Sequence, residues 1–109
     1  MVNDIIKALK KGSIKTVLLY SDTNGSPAPP YVVVKPETGT MPNTRQFRII
    51  VYHMQGKFDE LEKYTLIELD QLLAGIKLYK NGYSDVTSEM TDKTFFMERL
   101  YIVPMMGTH

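Results

Sequence analysis

The stretch from Phe47 to Met54 constrains the fold of this chain more than any other. In extended backbone Phe47, Ile49, Val51 and His53 share one face, and Arg48, Ile50, Tyr52 and Met54 share the other. From Ile49 onward both faces are largely apolar, so this strand needs cover on both sides and belongs at the centre of a sheet.

Other segments supply its neighbours. From Thr94 to Val103, Phe95, Met97, Arg99, Tyr101 and Val103 alternate with Phe96, Glu98, Leu100 and Ile102, until Pro104 stops the run. Tyr31 to Lys35 is a β-branched run entered from Pro29 and Pro30 and bounded by Pro36. Lys15 to Tyr20 is a short strand ending in a cluster of turn formers from Ser21 to Pro27. Between Pro36 and Gln46 there is no periodicity and two further breakers, as expected of a hairpin loop. Tyr83 to Ser88, flanked by the turn signals Asn81-Gly82 and Met90 to Lys93, reads as another short strand.

Two helices complete the pattern. Asn3 as N-cap, Asp4 in the first turn, Lys10 and Lys11 in the last and Gly12 after it delimit the first, with Ile5, Ile6 and Leu9 as its apolar stripe. The second is expected from Lys57 or Asp59 to Ala74, stopping near Gly75. At about 100° per residue, Phe58, Leu61, Thr65, Leu66, Leu69, Leu72, Leu73 and Ile76 form its core face. Tyr64 and Ile67 fall on roughly the opposite side. The expected architecture is α+β: helix, three strands, helix, two strands, with the helices packed on one mostly antiparallel or mixed sheet in a single domain spanning residues 1–109.

Composition narrows the function. The 109 residues are 43% hydrophobic and 23% charged, which is globular rather than disordered. Thirteen Lys+Arg against twelve Asp+Glu leave a net charge of +1, too small a field to gather phosphates nonspecifically. With no cysteine there is no disulfide framework, thiolate metal site or thiol nucleophile. The longest apolar runs fall far short of the ~20 residues that span a bilayer, and the start has no secretory pattern, so a cytoplasmic protein without membrane association is expected.

No catalytic, cofactor or metal signature stands out. His53 lies at a strand end and His109 at the chain terminus, neither with a ligand partner at useful spacing. Glycine-rich phosphate loops and nucleophile elbows are missing from the sequence. Asp59, Glu60, Glu62, Glu68 and Asp70 read as a solvated helical face rather than as acid–base pairs. Arg45 and Arg48, with Lys35 and Phe47 near them, suit an ordinary solvated hairpin, a contact to another protein or the lining of a pore, or phosphate binding with base stacking. Tyr64 with Ile67, joined by Met105 and Met106 after Pro104, form the candidate oligomer interface. Unpaired edges of long strands add to it.

The run Pro30 to Val34, the strand Phe47 to Tyr52, the helix after it and the aromatic final strand ending near a proline together resemble the tail-terminator and tail-completion proteins of long-tailed bacteriophages. The resemblance covers most of the chain and rests on the succession of elements. It implies a structural virion protein and not an enzyme: a ring, of six copies, at the head–tail junction that caps the tail tube and joins it to the head. Its implied partners are itself, the tail-tube protein and head–tail connector proteins. The hairpin bearing Lys35, Arg45 and Arg48 is then expected to face the tube or its lumen, touching passing DNA without reading sequence. A connector, adaptor or minor capsid protein of the same junction is the near alternative, and a small non-phage homo-oligomeric ligand-binding domain using His53, Arg48 and a helix carboxylate the more distant one.

Overall fold

In the computed structural model, which describes residues 2–22, 27–37, 44–54, 56–80, 86–89 and 94–104, two helical stretches cover one face of a six-stranded mixed sheet. The elements are α1 (Val2–Leu9), β1 (Val17–Leu19), β2 (Tyr31–Glu37), β3 (Thr44–Met54), α2 (Phe58–Lys63), a π-helical turn (Tyr64–Glu68), α3 (Leu69–Ala74), β4 (Tyr79–Lys80), β5 (Val86–Glu89) and β6 (Thr94–Pro104). The sheet runs β1-β2-β3-β6-β4, with β5 paired to the remaining outer edge of β6. Only β1 and β2 are parallel.

The central place expected for Phe47 to Met54 is where β3 lies, paired along its full length with β6 and, from Gln46 to Tyr52, with β2. Its Phe47, Ile49 and Val51 join Val32 and Val34 of β2 and Met97 and Tyr101 of β6 under the helices. Ile5, Ala8 and Leu9 of α1 close this core at the β1–β2 end, and Leu61, Leu69 and Leu73 close it over β3 and β6. Each such fully buried side chain contributes about 1.5–3 kcal/mol. The opposite face carries no helix among the described residues; Tyr31, Val33 and Ile50 are sealed there by Leu18 and Tyr52, and the Tyr31 and Tyr52 rings stack at 4.6 Å.

Several local expectations are corrected. β2 continues through Pro36 to Glu37, because β1 covers only Val32 to Val34 and the proline therefore lies where the outer edge is unpaired. α1 begins at Val2, so Asn3 lies inside it rather than capping it. Gly12 serves close approach and not a left-handed turn: a Cβ there would stand 2.6 Å from Glu68 Oε2 and 2.7 Å from Leu72 Cδ1. At the end of α3, Gly75 is right-handed with φ −61°, and the left-handed residue is Lys77 at φ 60°. The N–H of Leu78 donates to Leu73 O and that of Lys77 to Ala74 O, the paired bonds of a Schellman closure with Leu78 buried against Leu73. The sheet edges are the short strands β1, β4 and β5, not long ones. The hairpin tip 38–43, the turns 81–85 and 90–93, and Met105, Met106 and His109 lie outside the described residues.

Candidate functional site

The second helix does not keep α geometry throughout. Leu69 N–H donates to Tyr64 O, five residues back instead of four, so one extra residue is accommodated in the turn from Tyr64 to Glu68. The cause lies in the spacing of the buried positions. Leu61, Thr65, Leu69 and Leu73 recur every four residues, and at 3.6 residues per turn such a stripe drifts about 40° per repeat away from the sheet. A wider turn winds it back.

This turn overturns the expected placement of Tyr64. With 3% of its surface exposed it belongs to the core and is no part of an outer face. Leu66, expected in the core, is 38% exposed, and Ile67 is 52% exposed as expected of it. The outward apolar pair is thus Leu66 with Ile67. The Tyr64 hydroxyl and Thr65 Oγ1 are buried with no hydrogen-bond partner among the described residues, and burial, reinforced by the Glu68 charge, pushes the Tyr64 phenol up well beyond the usual range.

Arg99, on the helix-covered face of β6 and 3% exposed, answers the backbone irregularity. In an α-helix the Leu69 N–H would serve Thr65 O; here it serves Tyr64 O, and Arg99 Nη1 donates to Thr65 O at 2.6 Å. Asp70 accepts from the Tyr101 hydroxyl at 2.6 Å and lies 3.6 Å from the same guanidinium. Asp70 is therefore anchored to the sheet, and Glu68 is engaged too, accepting from the backbone N–H and, at 2.9 Å, from the hydroxyl of Ser13. Neither belongs to a freely solvated face.

A cleft of about 560 Å³ opens between the end of β3, the start of α2 and the segment after α1, lined among others by Ser13, His53, Lys57, Glu60, Lys63 and Tyr64. His53 is buried at this seam; its Nδ1 accepts from the Met54 N–H at 2.9 Å and its Nε2 is 3.4 Å from Glu60 Oε2. Desolvation lowers the His53 pKa, with Glu60 opposing and Lys57 assisting.

The expected basic hairpin divides between the two faces. Lys35 and Arg48 are cross-strand partners on the helix-free face. Arg48 donates to Glu37 at 2.8 Å and lies 3.5 Å from Glu98, while Lys35 reaches Glu37 at 3.7 Å and stands 4.8 Å over the Tyr20 ring. The hydrogen bond from Arg48 holds the Glu37 carboxyl below its usual range, and the Arg48 pKa is raised in return. Phe47 is buried in the core and has no face to offer a base; Arg45 is exposed. Arg48 and His53 lie on opposite faces, so they do not form one site.

Among the described residues no group of three or more His, Asp or Glu is placed to hold a metal ion, and no helix is long and apolar enough to cross a membrane. No protein-family model and no curated protein matches this chain. Sequence reasoning missed Arg99, Thr65 and Ser13. The available signal was Arg99 itself, a lone cation alternating with Met97 and Tyr101 on a core face, which requires a buried acceptor.

Proposed function

We propose that this chain is a structural virion protein that assembles with its own copies into a ring at the head–tail junction of a long-tailed bacteriophage, capping the tail tube and joining it to the head. The observation carrying this reading is the pair Leu66 and Ile67, 38% and 52% exposed on the outside of a helix whose inner side is already engaged with its own sheet. Each forgoes part of the roughly 1.5–3 kcal/mol that full burial gives, and a neighbouring subunit restores it. An elongated body of 48 × 26 × 24 Å, with two 11-residue strands running side by side, suits a subunit whose hairpin reaches toward a tube or lumen. There Arg45 is the exposed cation for nonspecific contact with passing DNA, since Lys35 and Arg48 are held by Glu37. The resemblance in element order supplies the phage context and the count of six; assembly takes place in the host cytoplasm and the product resides in the virion.

Size-exclusion chromatography with light scattering, over a wide concentration range and with or without purified tail-tube protein, tests the reading. A closed ring is the expected species. A monomer under every condition refutes it, and binding to connector protein without any effect of the tube protein transfers it to a connector or adaptor of the same junction. A second reading, a small ligand-binding domain, is favoured by the cleft at His53. Normal particle assembly by His53→Ala removes that reading's leading residue.

A further inference from the structure

We propose that copies of this chain join head to tail through their helix layers, the ridge bearing Leu66 and Ile67 on one copy seating in the groove beside α1 on the next. The proposal rests on the ring reading above and specifies its contact. A ring requires a heterologous interface, meaning two different and complementary patches on the same subunit. Both are present.

The groove, about 270 Å³, lies between α1 and the residues just after α3. Ala8 and Ile76 give it an apolar lining, the exposed Lys7 and Lys11 flank it, and Asp4 contributes the one acid. Lys10 and Lys15 are exposed in the same segment, so the surroundings are strongly basic. The ridge has the opposite character. Exposed Asp59 and Glu62 precede Leu66 by about two turns and one turn, while Lys63, the cation nearest in sequence, lines the His53 cleft with Glu60 and Glu68. An apolar tip with an acidic shoulder thus meets an apolar groove with basic flanks. The chain itself carries both halves, which commits the occupant of the groove to a second copy rather than to an unrelated partner. Opposite charges at the rim fix the register and suppress wrong pairings.

The test is a charge swap in the full-length chain. Variant one carries Lys7→Glu and Lys11→Glu; variant two carries Asp59→Lys and Glu62→Lys. All four positions are exposed, and circular dichroism checks that each variant folds. Alone, each variant places like charges across the contact and is expected to lose association by at least about tenfold. Mixed in equal amounts they are expected to reassemble, because the acidic ridge of one fits the unaltered basic groove of two, and the reversed ridge of two fits the reversed groove of one. Six subunits close such an alternating ring. Light scattering reads the outcome. Variants that assemble as well as the parent chain, or a mixture that stays dissociated, overturn this contact while leaving the ring reading intact; a parent chain that never assembles overturns the ring reading itself.

Discussion

Replacing Arg99 by methionine isolates the bond that the π turn demands. The side chain is 3% exposed, donates to Thr65 O at 2.6 Å and approaches Asp70 at 3.6 Å. Asp70 is 35% exposed and keeps the Tyr101 hydroxyl as a partner, so its ion pair with Arg99 is screened and adds little. Methionine fills most of the volume, which limits any cavity term. What remains is a charged donor removed from a buried carbonyl that has lost its α-helical donor, a loss of about 1.5–3 kcal/mol, partly offset because a desolvated cation is also removed. The net expectation is about 2 kcal/mol. At ~2.1 cal/mol/K of unfolding entropy per residue, that lowers Tm by about 9 °C for a chain of 109 residues. Urea titrations followed by circular dichroism are expected to show a lower midpoint with an unchanged slope. A loss below about 0.5 kcal/mol refutes the claim that Thr65 O depends on Arg99.

Two further expectations concern the helix end and the seam. Lys77 is held at φ 60°, so Lys77→Gly relieves a left-handed penalty of about 1 kcal/mol and raises Tm by about 4 °C in a thermal scan; an unchanged or lower Tm contradicts the Schellman assignment. The folded-state pKa of His53 lies below the ordinary 6.5, so the unfolded chain binds the proton first as pH falls. Its contribution to stability is complete above about pH 6.5, declines below it and levels off beneath the depressed folded value. Urea midpoints measured from pH 7.5 downward are expected to fall in the parent chain and to fall less in His53→Gln, and equal slopes for the two refute the linkage.

Much of the fold could be read because it rests on period-two alternation and punctuation. The two-faced apolar character of Ile49 to Tyr52 places β3 in the middle, and the alternation from Phe95 onward places β6 beside it. Where prediction failed, a nonlocal term decided. Pro36 lies within a strand because its outer neighbour has already ended, which depends on the length of β1 and not on the proline. The left-handed residue after α3 is Lys77 and not Gly75, because the buried pairing of Leu78 with Leu73 sets where the helix closes. Ideal α periodicity put Tyr64 outside and Leu66 inside, and one additional residue in a single turn reversed both.

That turn also connects the interior of the molecule to its outer surface. A four-residue spacing of Leu61, Thr65, Leu69 and Leu73 keeps the inner stripe on the sheet only if the helix widens, and widening has two unavoidable effects. It withdraws the Leu69 N–H from Thr65 O, for which Arg99 and the Asp70–Tyr101 pair below it are the structural answer. It also swings Leu66 beside Ile67 on the outside, where neither has cover in the single chain. The buried cation and the exposed ridge therefore have one origin, and a change that restored regular α geometry in this segment would dissolve both together: Arg99 would lose its acceptor, and Leu66 would rotate toward the sheet and away from any neighbouring subunit.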